Sequence, residues 1–176
     1  MNATETKPTV GVIAGSDSDW PLIEPCIKVL DDMGIGVEVR ILSAHRSPAA
    51  VEAYVGDAAD RGLKVLIAIA GLSAHLAGVS AAKTDLPVIG VPADAGSLGG
   101  LDALLSTVQM PPGVPVATVA IGGPGARNAA YLAVRILALS DETLRAKLSD
   151  HRAAMARGVA EKDARLQQRL AGDRAI

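Results

Sequence analysis

The chain has 176 residues, 49% of them hydrophobic, enough for one compact domain with a real core. A formal net charge of −2 gives no general attraction to nucleic acid or acidic membranes, and three aromatic residues (Trp20, Tyr54 and Tyr131) are too few for single-strand stacking platforms. A lone cysteine, Cys26, excludes an internal disulfide and a zinc-type cluster, and no apolar run reaches the ~18 residues of a membrane span.

The N-terminus lacks a basic stretch followed by an apolar one, so no secretory leader is read and a cytoplasmic protein is expected. Residues 1–7 are polar and expected to be loose. Five strand-like runs follow: Thr9–Ala14, Val37–Leu42, Val65–Ala70, Pro87–Val91 and Val116–Ile121. Each is short, rich in β-branched residues and read as apolar on both faces, as a covered parallel sheet requires.

Helical patterns fill the gaps. The first carries Ile23, Cys26, Ile27 and Leu30 and stops at Gly34; Pro25 inside it predicts a kink or a late start. The second has Ser47 as cap and Pro48 at its first position, then Val51, Tyr54, Val55 and Ala58. A third lies near Ala74–Lys83, a fourth covers Leu101–Val108, and a fifth runs from about Ala126 to Leu139 after a tight turn at Gly122–Gly125. Alternating strand and helix predicts a three-layer α/β/α sandwich with right-handed crossovers. From about Asp141, the residues Leu144, Leu148, Met155, Val159, Leu166 and Leu170 repeat every eleven residues. They predict a long terminal helix, laid across its own or a neighbouring subunit. The expected organisation is a single domain over 1–176 with 141–176 as a helical extension.

Two polar loops follow predicted strands, and in a parallel sheet such loops share one edge, where ligands bind. Gly15-Ser16-Asp17-Ser18-Asp19 opens a helix, so its amides and hydroxyls suit an anion. Its carboxylates would repel a phosphate, so at least one should cap the helix or accept from sugar hydroxyls. The loop is neither a Walker P-loop nor a Gly-x-Gly-x-x-Gly fingerprint, which argues against a nucleotide-dependent oxidoreductase. In Ser43-Ala44-His45-Arg46-Ser47-Pro48, Arg46 can offer a planar fork to phosphate oxygens and His45 can move a proton. The glycines of Gly71-Leu72-Ser73-Ala74-His75-Leu76-Ala77-Gly78 let backbone approach a ligand. On its own residues, His75 reads as a structural loop histidine. His151 reads as a surface residue of the tail, and three scattered histidines make no metal site. A small-molecule enzyme is the leading reading; a module that senses a phosphorylated ligand is the non-catalytic rival, and His45 speaks against it.

Four segments together resemble the PurE family of purine biosynthesis over about Thr9 to Leu139: Gly15–Trp20, Ser43–Pro48, Ala74–Leu76 and Leu105–Pro111. The resemblance implies a flavodoxin-like sheet, a homo-octamer, a small ribonucleotide substrate, and neither cofactor nor metal. For the bacterial type it implies migration of a carboxylate from the exocyclic N5 of an aminoimidazole ribonucleotide to ring C4. For the animal type it implies direct carboxylation by CO2; His75 and Gln109-Met110-Pro111 look bacterial. Carried over by position, Ser16, Asp19 and Arg46 bind the ribonucleotide, with Asp19 on the ribose, and Ser43 assists at the phosphate. His45 is then the general acid/base, His75 lines the base or carboxylate pocket, and Gly71, Ala74 and Leu76 are walls. Leu72, Ser73 and Ala77 depart from the family's usual Gly-Gly-Ala-Ala-His-Leu-Pro-Gly.

Overall fold

The computed structural model describes residues 7–173, so most of the polar start lies outside the described residues. Two compact units divide the chain between Leu137 and Ala138.

The first unit contains β1 (Val10–Ala14), a 3-10 turn (Asp17–Asp19), α1 (Trp20–Asp32), β2 (Val37–Ile41), α2 (Pro48–Gly56), β3 (Val65–Ala70), α3 (Leu76–Ala81), β4 (Val88–Pro92), α4 (Leu101–Val108), β5 (Ala117–Thr118) and α5 (Gly122–Leu137). All strand pairs are parallel, in the order β2-β1-β3-β4-β5. This is the flavodoxin-like order, and the three-layer sandwich predicted from strand–helix alternation is the architecture found. Val10 pairs with both Val37 and Val65, and Ala14 with both Ile41 and Ile69, so the ends of β1, β2 and β3 finish level. The chain leaves β1 towards β2 and returns to its other side as β3. The crevice of the fold therefore opens at the carboxyl ends of β1 and β3.

The central strands are buried along their length except at Ala70, which explains their unbroken apolar runs. β2 departs from expectation: it is an edge strand, half-buried to exposed, and its Glu38 and Arg40 alternate with apolar residues. β5, read as six residues, pairs over two. On one face α1 packs on α5, whose buried stripe is Ala126, Ala129, Ala130, Ala133 and Val134. On the other, Val51, Tyr54 and Val55 of α2 and Leu76 and Ala77 of α3 join Ile13, Leu66 and Ala68 in one core cluster. Small residues let these helices sit close to the sheet.

Three helix ends differ from the sequence reading. α1 begins at Trp20 and runs through Pro25, because Pro21 already occupies its first turn and Pro25 removes one early donor. Ser47 sits at the N-cap of α2 but does not cap it: its hydroxyl accepts from Ser43 N–H at 3.1 Å and faces the Ser43 carbonyl at 3.2 Å. Gly122–Gly125 is the first turn of α5 rather than a turn before it. A Cβ at Gly125 would lie 1.6 Å from the Ala120 carbonyl oxygen, so only glycine lets the helix start there.

The second unit holds α6 (Glu142–Asp173), which realises the predicted terminal helix. Asp141 caps it by accepting from Leu144 N–H at 3.0 Å, and Arg145 pairs with Glu142 at 2.7 Å. Along its apolar stripe Leu144 is buried, whereas Met155, Val159, Leu166 and Leu170 are 43–66% exposed. His151, read as a surface residue, is half-buried in this helix.

Candidate active site

A cavity of about 590 Å³ opens at the carboxyl edge of the sheet, where the fold predicts it. The loops after β1, β2, β3 and β4 all contribute to its walls. Of the residues singled out from sequence, Ser16, Asp19, Ser43, His45, Arg46, Gly71, His75 and Leu76 line it. Ala74 does not. It is 2% exposed, and its N–H donates to Ser106 Oγ of α4 at 2.9 Å, so it faces the interior rather than the cavity.

The β1 turn is closed by its own bonds. Ser16 Oγ accepts from Ser18 N–H at 3.3 Å, and the Asp19 carboxylate accepts from Ser16 N–H at 3.1 Å, a reciprocal capping box. Asp19 is thus turned back into the turn, one of the two outcomes its sequence context requires. Burial pushes its carboxyl above the ordinary carboxylate range, and Asp17 adds to the rise; the Ser16 N–H and the Arg46 guanidinium pull the other way.

Arg46 crosses from the β2 loop to this turn. One terminal nitrogen donates to the Gly15 carbonyl, and Nε donates to Ser43 Oγ at 3.2 Å. Ser43 Oγ also accepts the Arg46 backbone N–H at 3.2 Å, so Ser43 sets the guanidinium plane. Among the described residues Nη1 makes no hydrogen bond, which leaves one edge of the fork for a ligand. A smaller side cavity of about 320 Å³ shares Gly15, Ser16, Ser43 and Arg46 with the main one and adds Asp17, Ile41 and Ser47. One guanidinium, three serines and a helix start converge there beside the Asp17 carboxylate and the Ile41 side chain, so the anion-friendly groups are those on the Arg46 side.

At the opposite end His45 Nε2 and His75 Nδ1 lie 2.7 Å apart, with their rings edge to face at 83°. At that distance one nitrogen carries a hydrogen and the other accepts it, so the tautomers of the two rings are linked. The sequence reading gave the two histidines separate tasks and had no means of pairing residues thirty positions apart. The support of this end was missed as well. Ser106 accepts from Ala74 N–H and lies 3.4 Å from the Leu72 carbonyl; Thr107 Oγ1 lies 3.5 Å from the Ala74 carbonyl. Both belong to the Leu105–Pro111 segment, but their task follows from α4 standing beside the loop after β3, which no spacing reveals. Gly71 sits in close packing: a Cβ there would meet the Ala95 Cβ at 3.1 Å, so a side chain would need Ala95 to give way.

Cys26 contributes nothing to the site. It is buried in α1, and burial pushes its thiol up to about 12. Among the described residues no three His, Cys, Asp or Glu side chains gather as a metal site.

A parallel five-stranded sheet whose switch-point cavity is lined by a guanidinium, serine hydroxyls and a histidine pair has the architecture of a small-molecule enzyme of the α/β class. The AIR carboxylase family model matches residues 9–158. An N5-carboxyaminoimidazole ribonucleotide mutase of Mycobacterium tuberculosis is 55% identical over 172 residues, covering 98% of this chain and 97% of the relative. One of Bacillus subtilis is 51% identical, covering 83% and 90%. A crystal structure of Treponema denticola PurE superposes with a TM-score of 0.81 at 32% identity, covering 90% of this chain and 98% of that one. The chain belongs to the AIR carboxylase family.

Proposed function

We infer that this chain is an N5-carboxyaminoimidazole ribonucleotide mutase, an isomerase of purine biosynthesis that moves a carboxylate from N5 to ring C4. The observation that carries the reading is the meeting, at one rim, of the Arg46 clamp and the His45–His75 pair in a chain 55% identical to a mutase over almost its whole length.

The ribonucleotide lies along the cavity with its phosphate at Arg46, Ser16 and Ser43 and its ribose at Asp19. Its imidazole then reaches the histidine end, against Gly71, His75 and Leu76. His45, as imidazolium, protonates the exocyclic nitrogen. The bond from that nitrogen to the carboxylate breaks, the electron pair stays on nitrogen, and CO2 is set free. The electron-rich ring attacks CO2 through C4, forming the new carbon–carbon bond. The C4 hydrogen then leaves as a proton to the neutral His45, which restores the aromatic ring. The imidazole recovers what it donated, so the cycle needs no outside acid or base. The partner ring supports this role, because a proton moved on one side of His45 is answered by the hydrogen bond on the other. Arg46 contributes by holding the ring within reach.

The reading also includes a cytoplasmic homo-octamer. Among the described residues no helix is long and apolar enough to cross a membrane. Leu98, Leu101, Leu105 and Val108 on and beside α4 are 46–61% exposed, an apolar face that subunit contact would cover. Native mass spectrometry tests the assembly and cell fractionation the compartment.

Two substrates test the chemistry. Supplied with the N5-carboxylated ribonucleotide, the protein is expected to form the 4-carboxylated isomer. Turnover only with the uncarboxylated ribonucleotide and bicarbonate would replace the mutase by the direct carboxylase.

A further inference from the structure

Leu72 is the one residue other than glycine, among those described, with a left-handed backbone, at φ +55°. That region brings the Cβ of an L residue against its own carbonyl, and glycine avoids the cost. Nor does burial of the side chain compensate, since Leu72 is 55% exposed. Backbone preference and core packing both argue against leucine here, and strain of this kind is informative when it sits at a ligand site.

Leu72 does sit at one. It lines the main cavity between Gly71 and Ser73, at the histidine end. Its side chain reaches across to the loop between β4 and α4: a Cβ built on Gly96 would fall 2.6 Å from Leu72 Cδ2. Gly96, itself at φ +77°, is therefore the seat on which the leucine rests. Ala70, Leu76 and Ala95 supply apolar surface to the same cavity, and Leu72 extends that surface to its rim.

We propose that Leu72 is a specificity-determining residue, the apolar rim that holds CO2 in the cavity between its release from nitrogen and its capture by C4. The proposal rests on the mutase reading above. Between those two events CO2 carries no net charge and is bound to nothing. Neither Arg46 nor the histidines hold it as an ion, so retention falls to the walls. If CO2 leaves, the uncarboxylated aminoimidazole ribonucleotide remains and is released, and the cycle has become a decarboxylation. The rim decides how often that happens.

The experiment follows both products from the N5-carboxylated ribonucleotide, using the full chain and its Leu72→Gly and Leu72→Asn variants. Glycine takes the left-handed backbone freely and asparagine tolerates it, so both variants are expected to fold, with melting temperatures no lower than wild type. The ratio of released uncarboxylated ribonucleotide to 4-carboxylated product is expected to rise about tenfold in both, the scale that a few apolar contacts command. A purely structural leucine would leave this ratio unmoved. A working wild type whose glycine variant partitions as it does overturns the role of Leu72 alone. A wild type that forms no 4-carboxylated product overturns the mutase reading, and this one with it.

Discussion

At the Ser16 end of the cavity the turn satisfies itself: Ser16 and Asp19 exchange hydrogen bonds over three residues, and Ser43 fixes Arg46 from three positions away. At the His75 end the local bond from His75 N–H to the Ser73 carbonyl, at 2.8 Å, is joined by support from far along the chain. The Gly71–His75 loop carries a left-handed leucine, and Ser106 of α4, more than thirty positions along the chain, receives the Ala74 N–H. Bonds between sequence neighbours shape the Ser16 turn and the Arg46 plane, with the Arg46 bond to the Gly15 carbonyl joining the two loops, whereas the proton-transfer end leans on α4. Each end can therefore be damaged without the other, and the two kinds of damage should separate affinity from turnover.

The largest effect is expected at His45. Replacing it with asparagine keeps a polar side chain beside His75 but removes the imidazole proposed to give and take the proton. Turnover should fall by about 10²–10⁴-fold, the usual worth of a general acid/base. Binding of the ribonucleotide, followed by calorimetry, should change little. Turnover within twofold of wild type would remove His45 from the chemistry. Arg46→Ala should do the reverse. Charge-assisted hydrogen bonds to an anion are worth about 1.5–3 kcal/mol, so affinity should drop roughly 10- to 100-fold, and less so as salt is raised. Unchanged affinity at low salt would take the phosphate away from this end.

Ser106→Ala sharpens the contrast. It leaves a buried N–H at Ala74 without its acceptor, a cost of about 1–3 kcal/mol in stability. The histidine end then loses its support while the clamp stays intact. Turnover should fall about tenfold at temperatures well below melting, with KM steady, and Ser106→Thr should restore it, since the acceptor returns. A lower melting point with turnover unaltered would make Ser106 a purely structural residue.

The same contrast explains what could be read from the chain. The order of strands and helices was legible because β1, β3 and β4 are buried on both faces and their apolar runs say so. The edges were less legible. β2 mixes Glu38 and Arg40 into its run because one side meets solvent, and β5 pairs over two residues at the other margin. In the site, the bonds of Ser16 with Asp19 and of Ser43 with Arg46 lie within single loops, within reach of sequence reasoning, whereas the bond from Arg46 to the Gly15 carbonyl joins two loops. Ala74 faces away from the cavity because of how α4 meets the β3 loop, and the His45–His75 contact was unforeseen because it joins the separate loops after β2 and β3. Leu72 was visible as a departure from the family's glycine, but its backbone conformation was not.

The smallest effect belongs to Asp19 and tests whether the clamp end is at ease with its own carboxylate. Burial raises the carboxyl above its ordinary 3.8, so between 3.8 and that raised value the folded chain holds a proton that the unfolded chain has lost. Unfolding in that window releases the proton, and stability therefore falls as pH rises through it; the contribution is whole below 3.8 and gone above the raised value. Asp19→Asn does not ionise, yet its amide oxygen can still accept from Ser16 N–H and keep the turn closed. Without ligand, the melting temperature of wild type should therefore fall relative to the variant as pH goes from about 3.5 to about 6. The side chain is only half-buried, so solvent screening keeps the difference small. Wild type gaining on the variant over the same range would mean that Ser16 and Arg46 outweigh burial, and that the turn is built to hold a charged carboxylate even before substrate arrives.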